Sequence, residues 1–393
     1  MSVAVVDYLA ANVDRYLDDL RLLAGLDSGS DDKQGVDSVI DWLESRLSAG
    51  NFQIERDHQE RFGDNLIARR FGKGSAKILL LGHADTVYAR GTVAARPLQI
   101  SGDRILGPGT CDMKAGILSG IYALDGLFHV GWDNFAEVTI LVVSDEETAP
   151  RASVPLLERE GARHDVILTL EAARENGDIV SARKGVRWFT VEATGRSAHA
   201  GVEPEKGSSA TLALAQFIVE ANSLHGLKPG MTVNAGAISG GGSPSIVVDR
   251  AAARFDLRAW TDVELDELEA EFRSLSQRSP VAGATLDVRL EPGSDCPAMP
   301  RTQGVIELER LAIEIAEDLG FALRGASTGG ASDISYAGRS GTAGLDGLGP
   351  IGGLDHGPDE YILLSSIVPR QSLLARLQMA IGERGPLDGA ALA

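Results

Sequence analysis

The sequence predicts an α/β protein: a three-layer domain of buried strands and covering helices, interrupted by a smaller α+β module. Three observations predict it. Short apolar runs alternate with helical patterns between about 76 and 185; the order becomes β-α-β-β-α-β from about 186 to 295; and the helical pattern resumes after that. At 393 residues a single hydrophobic core is not expected to suffice, so two domains are the natural arrangement. The expected division is a discontinuous domain of residues 1–185 plus 296–393, with residues 186–295 inserted into it.

The elements follow in order. MSVAVVDYLAANVDRYLDDL reads as an amphipathic acidic helix, without the cationic segment and apolar run of a secretory signal. AKILLLG (76–82), VTILVVS (138–144) and VILTL (166–170) are near-continuous apolar runs, the mark of strands covered on both faces. Between the first two, Ile117, Leu118, Ile121, Leu124 and Leu127 recur at helical spacing. VRWFTVEAT, an Ala/Leu-rich helix from about 207, MTVNAGAIS, VVDRAAARFDLRAW, the acidic helix 262–277 and ATLDVRLE then make the split-βαβ layout of a separate module. VIELERLAIEIAEDLG, a short strand around 342–347 and a last helix from about 365 return to the first domain.

Composition excludes several classes of function. The chain is 44% hydrophobic, which suits a packed enzyme rather than a disordered or fibrous chain. A net charge of -19 disfavours nucleic acid as a partner, since phosphate binding needs a basic footprint. No apolar stretch approaches bilayer length, so a cytoplasmic protein with no membrane partner is expected. The two cysteines, Cys111 and Cys296, make neither a disulfide framework nor a thiolate zinc site. Any metal is therefore held by His, Asp and Glu.

The residues that carry chemistry lie just after predicted strands, or on the loops beyond them, the edge where open α/β sheets bind ligands. GHADTV gives His83, with Asp85 as the carboxylate to which a metal-bound imidazole donates its second N–H. LGPGTCDMKAG gives Asp112 after a glycine-rich turn. A helix cap is its alternative role. SDEET gives Glu146 and Glu147, adjacent carboxylates that repel each other unless a cation lies near. One can ligate while its neighbour faces a bound water. Glu171 follows VILTL, and His356 sits in the glycine-rich GGLDHGPDEY. His83, Asp112, Glu147, Glu171 and His356 make a set able to hold two zinc ions roughly 3.5–4 Å apart, if one carboxylate bridges. The mixed N/O donors suit zinc or cobalt better than magnesium. His58, His129, His164 and His225 match no such motif and read as surface or helix-end residues, and Cys111 as packing.

H-x-D, G-P-G-x-x-D-M-K, D-E-E, a strand-terminal Glu, R-K-G, S-A-H-A-G and a late D-H-G occur in that order from His83 to His356. The chain thereby resembles, along essentially its whole length, the co-catalytic zinc peptidases and deacylases. These include glutamate carboxypeptidase (carboxypeptidase G), acetylornithine deacetylase, succinyl-diaminopimelate desuccinylase and peptidase T. The resemblance implies a zinc-exopeptidase-type catalytic domain with a ferredoxin-like lid and dimerisation domain, two Zn²⁺ per subunit (Co²⁺ or Mn²⁺ as substitutes) and a homodimer. It makes Asp112 the bridge, completes one site with His83 and Glu171, and completes the other with Glu147 and His356. Glu146 becomes the general base and Asp85 the residue orienting His83. His199, in GRSAHAG, is similar to a histidine that reaches the other subunit's active site and stabilises the oxyanion. Asn234 and Arg258 match a substrate-contacting asparagine and an arginine gripping the substrate α-carboxylate. Thr328, Gly329 and Gly330 match a substrate-lining loop.

The implied reaction is attack of a metal-activated hydroxide on an amide carbonyl, the metals lowering the water pKa from about 16 to about 7. The implied substrate is a small N-acyl amino acid or short peptide, and the product an amino acid with a free carboxylate. A deacetylase or desuccinylase of a biosynthetic intermediate is the alternative, and a catalytically silent binding scaffold a third. Two departures from the family pattern bear on substrate. Cys296, in GSDCPAM, stands where an arginine helps bind the acidic substrate, and Ser245, in SIVVD, replaces the asparagine of N-V-x-P.

Overall fold

The computed structural model describes residues 2–149, 151–277 and 281–385. They divide into two compact units, the first within residues 2–181, 301–327 and 332–385, the second within residues 182–300 and 328–331.

The first unit is built on a six-stranded sheet. Its order is Gln53–Asp57, Asn65–Phe71, Glu137–Val143, Lys77–His83, Val166–Thr169 and Gly344–Leu345. The last four strands are parallel, and the first two form an antiparallel ribbon along one side. Every residue of Glu137–Val143 is buried, as is Lys77–His83 beyond its first residue. This is the double-sided cover that their continuous apolar sequences demand. Leu81 is level with both Leu141 and Thr169, so three parallel strands end together. His83 closes one of them, and Glu146 and Glu171 follow the ends of the other two within three residues. The helix Ala115–His129 packs on Lys77–His83 and against Ile367–Arg384 and Ser2–Ala11.

The expected N-terminal helix is two helices, Ser2–Ala11 and Val13–Ala24. The break falls at Asn12, whose Nδ2 donates back to the Tyr8 carbonyl. A polar side chain that competes for helix carbonyls favours such a break. His164 is also placed differently from expectation. It does end the helix Val154–Arg163, but it is buried, with Nδ1 2.6 Å from the Glu160 carbonyl and Nε2 2.9 Å from Thr139 Oγ1.

In the second unit the strands Gly185–Thr194, Thr232–Gly240, Arg250–Ala259 and Thr285–Leu290 and the helices Ala210–Asn222 and Asp262–Ser274 run in the predicted β-α-β-β-α-β order. The sheet is antiparallel, with Thr232–Gly240 and Thr285–Leu290 at its edges. Its core is aromatic: Phe272 lies within 5.4 Å, centroid to centroid, of Phe189, Phe217 and Phe255. Among the described residues no helix is long and apolar enough to cross a membrane.

Candidate metal centre

Five side chains of the first unit meet at the C-terminal edge of its parallel strands. His83 Nε2 lies 2.9 Å from Asp112 Oδ1 and 3.7 Å from Glu171 Oε1. His356 Nε2 lies 3.2 Å from Asp112 Oδ2 and 3.1 Å from Glu147 Oε1. Two triads result, His83/Asp112/Glu171 and Asp112/Glu147/His356, and within each the ligand atoms lie within 4.8 Å of one another. Asp112 belongs to both, presenting a different oxygen to each histidine.

The position of Asp112 follows from its loop. Gly109 has φ +70°, a left-handed conformation that suits glycine. Residues Thr110–Lys114 then form a wide turn in which Asp112 is extended, at φ -122° and ψ 95°. The helix starts only at Ala115, and Lys114 is its N-cap. Asp112 is therefore not that helix's cap. What holds the turn is Glu360, a buried residue that the motifs did not single out. Its Oε1 accepts from the backbone N–H of Cys111 (2.7 Å) and Asp112 (3.0 Å), and its Oε2 from Gly109 N–H (3.0 Å) and the Tyr88 hydroxyl (2.7 Å). Its only sequence signal is its place four residues after His356.

Asp85 has a second task beside His83. His83 Nδ1 is 3.0 Å from the carbonyl of Asp85 and 3.4 Å from its carboxylate. The carboxylate itself accepts from Glu146 N–H and Glu147 N–H, both at 3.1 Å, and from Ser30 Oγ at 2.6 Å. The buried Asp85 thus ties the end of one strand to the loop after its neighbour. Glu146 and Glu147 diverge, the first toward Arg151 and the second toward His356. A cavity of about 570 Å³, lined by Ser30, Asp32, Thr86, Tyr88 and Arg90 among others, opens beside Glu147.

The electrostatics call for positive charge. Burial and the neighbouring Asp112 charge push Glu147 up to about 8, and the same two causes raise Glu171 well above the usual carboxylate range. Glu146 is raised by burial, against the pull of Arg151. Burial also raises Asp112, but its hydrogen bonds with His356 and His83 outweigh this and hold it below the carboxylate range. Hydrogen bonding to Asp112 raises His356 to about 9. Glu147 Oε1 is buried, and beyond the approach of His356 Nε2 it has no hydrogen-bond partner among the described residues. Two imidazoles and three carboxylates crowded in this way fit a divalent cation in each triad, since a cation relieves the repulsion that raises the glutamates.

The other residues singled out lie in the second unit. Arg258 pairs with Asp256 through Nε and Nη2, both at 2.8 Å, and donates to the Gly329 carbonyl at 2.5 Å. Gly330 N–H approaches Thr328 Oγ1 at 3.4 Å. Asn234 is exposed on the edge strand, opposite Asp256. His199 is exposed, and its Nδ1 accepts from Gly201 N–H at 3.1 Å. Cys296 is buried, with its backbone paired to Val186.

Known proteins resemble the chain at both levels. It is 27% identical to carboxypeptidase G2 of a Pseudomonas species over 368 residues, which is 92% of this chain and 88% of that protein. It is 24% identical to an acetylornithine deacetylase of Aliivibrio fischeri, over 88% of this chain and 91% of that one. The fold matches that of an aminopeptidase PepT from Bacillus cereus, with TM-score 0.79 at 22% identity over 93% of this chain and 98% of that one. An M20 family metallo-carboxypeptidase from Sulfolobus solfataricus matches with TM-score 0.72 at 16% identity, over 93% and 99%. The model of peptidase family M20/M25/M40 matches residues 79–380. From His83 to His356 the candidate centre lies inside that span, and the chain belongs to peptidase family M20/M25/M40, as a metal-dependent peptidase or amidohydrolase.

Proposed function

We propose that the chain is a dizinc hydrolase that cleaves an amide bond and releases an amino acid with a free carboxylate. The observation that carries this reading is the sharing of Asp112 by two triads, one oxygen toward each histidine. His83, Asp112 and Glu171 would hold one ion, and Asp112, Glu147 and His356 the other, with cobalt or manganese as substitutes. Bound divalent ions supply Lewis acidity at such a site, polarising a carbonyl oxygen and acidifying water.

The chain's own residues supply the rest. Glu146 takes the proton of the attacking water and hands it to the leaving amine. Three features suit it to this work: it adjoins Glu147, Asp85 clamps its backbone N–H, and its Oε2 makes no hydrogen bond among the described residues. Asp85 orients His83 through its carbonyl and carboxylate.

The second unit (residues 186–295 in the sequence-based division) serves as lid and dimerisation domain of a cytoplasmic homodimer. There His199 helps stabilise the oxyanion in the other subunit's active site, and Arg258, Asn234 and the Thr328–Gly330 loop receive the substrate. This part rests on the motif resemblance. The likeness to carboxypeptidase G2 over nearly the whole chain favours an exopeptidase or N-acyl-amino-acid amidohydrolase. The likeness to an acetylornithine deacetylase keeps a biosynthetic deacylase as the second reading. Cys296, standing where the family has an arginine that helps bind the acidic substrate, argues against a strict preference for C-terminal glutamate.

The test is metal-stripped protein reconstituted with Zn²⁺ and assayed on N-acyl amino acids and dipeptides, including folate-like glutamate conjugates. Turnover with two ions per chain, lost in Glu146→Gln while both ions stay bound, is the expected result. Zinc binding with no hydrolysis across the panel overturns the enzyme reading in favour of a scaffold. Strong glutamate selectivity overturns the reading of Cys296.

A further inference from the structure

The loop that carries Glu146 is closed on itself by Asp145. The Asp145 carboxylate accepts from the backbone N–H of Ala152 and Ser153 and from Ser153 Oγ. Both ends of the loop are thereby fixed. The start is held a second time by Asp85, which accepts from Glu146 N–H. Within this closed loop Arg151 is set opposite Glu146, five residues on.

Arg151 is 12% exposed and spans two carboxylates. Its Nη2 donates to Glu146 Oε1 at 2.8 Å, and its Nη1 donates to Asp333 Oδ1 at 2.5 Å. The guanidinium also lies 5.4 Å from the centre of the Tyr336 ring. Asp333 is 2% exposed, and its Oδ2 is buried with no hydrogen-bond partner among the described residues. A buried carboxylate left half-satisfied is costly, so its retention calls for an explanation. A rigid fork that donates from two nitrogens at once orders both acceptors. Asp333 fixes one arm of Arg151, and the other arm then fixes the Glu146 carboxylate about its terminal torsion, the broad, roughly two-fold torsion that packing alone restrains least.

We propose that Arg151, braced by Asp333, is a positioning residue that aims the base Glu146. Arg151 occupies Oε1 and leaves Oε2 as the proton-accepting oxygen. The proposal rests on the reading of Glu146 as the base. It adds a claim which that reading does not contain: a three-member chain, Asp333–Arg151–Glu146, from a short helix to the reacting proton. Base catalysis is worth about 10²–10⁴-fold, and a displacement of about 1 Å can cost about 10²-fold. Loss of aim alone is therefore expected to lower kcat by about 10- to 100-fold.

The experiment uses the zinc-loaded full chain and a substrate identified in the panel above. Arg151→Ala is expected to lower kcat by about 10- to 100-fold, with KM within about twofold and zinc content unchanged. Added guanidinium ion is expected to restore part of the lost rate in Arg151→Ala and none in Glu146→Gln. Arg151→Lys, which keeps the charge but loses the fork, is expected to fall between, and so is Asp333→Asn. In a Glu146→Gln background, Arg151→Ala is expected to add no further loss.

Full activity in Arg151→Ala, with Glu146→Gln inactive, overturns the positioning role and leaves the base in place. Activity in Glu146→Gln overturns the base itself. A fall in zinc content together with a raised KM and no guanidinium rescue assigns Arg151 to structure only, and also overturns the proposal. If Arg151→Ala fails to fold, Arg151→Lys decides by the same readouts: wild-type kcat overturns the proposal, and a selective loss of kcat supports it.

Discussion

Glu360 offers the sharpest test of how Asp112 is held. It receives four donors: the N–H groups of Gly109, Cys111 and Asp112 and the Tyr88 hydroxyl. Glu360→Leu removes every acceptor and leaves little room for a replacement water. A buried donor left unpaired costs about 1–3 kcal/mol. Three orphaned N–H groups therefore cost about 3–6 kcal/mol, the upper end trimmed because a buried charge is also removed. Glu360→Gln is milder. Its carbonyl oxygen still serves Cys111 and Asp112, and the Tyr88 hydroxyl can turn to accept, so only Gly109 N–H faces an amide hydrogen. The expected cost is about 1–3 kcal/mol.

Both losses are measured by urea denaturation of metal-free protein, and Zn²⁺ affinity by calorimetric titration. Because Asp112 N–H is one of the released donors, zinc binding is expected to weaken about 10- to 100-fold in Glu360→Leu, the usual effect of losing a partner that supports a ligand. A Glu360→Leu variant within 0.5 kcal/mol of wild type (about the size of a neutral surface change) and with unchanged zinc affinity would refute the reasoning.

Four further outcomes are expected. Asp112→Ala removes the residue common to both triads and is expected to abolish binding of both ions, whereas Glu171→Ala and Glu147→Ala each leave one; elemental analysis of dialysed protein distinguishes them. Zn²⁺ at about 100 times its dissociation constant is expected to stabilise the fold by about 2.7 kcal/mol over chelator-treated protein, read as a shift in the denaturation midpoint. Burial opposes ionisation of Asp64, but hydrogen bonds from Lys33, Gln59 N–H and His58 outweigh it and hold Asp64 well below the usual carboxylate range. A depressed folded pKa gives stability that is complete above the unfolded value of about 3.9 and is lost as pH falls toward the folded one. Wild type is therefore expected to lose stability below about pH 4 more steeply than Asp64→Asn, in acid titrations followed by circular dichroism. Phe272→Ala empties the aromatic core of the second unit and is expected to cost that unit about 3–5 kcal/mol in urea denaturation.

Periodicity and motif spacing carried much of this protein. Apolar runs such as VTILVVS are strands because a buried strand must be apolar on both faces, and the residue after such a strand lies at the ligand-binding edge. That logic is local and one-dimensional, so it reached His83, Glu146, Glu147 and Glu171 directly. It also anticipated the β-α-β-β-α-β order of the second unit. Local reasoning failed where a single side chain decides. Asn12 splits the first helix by competing for a carbonyl, and His164 is buried because Thr139 and the Glu160 carbonyl satisfy both its nitrogens.

Tertiary structure alone decided what meets what. Asp112 reads equally as a helix cap in sequence; its extended backbone, and the start of the helix at Ala115, remove that role. Which histidine faces which carboxylate depends on His356, 244 positions beyond Asp112. Glu360 gripping the 109–112 turn and Asp333 bracing Arg151 are likewise contacts across 248 and 182 positions. Hydrogen bonds of this kind leave no periodicity in a sequence, because a carboxylate finds its donors by where the chain has folded and not by what adjoins it. The sequence by itself determined the strands, the order of the elements and the chemical types at the edge; the fold decided their pairing and the residues that hold them in place.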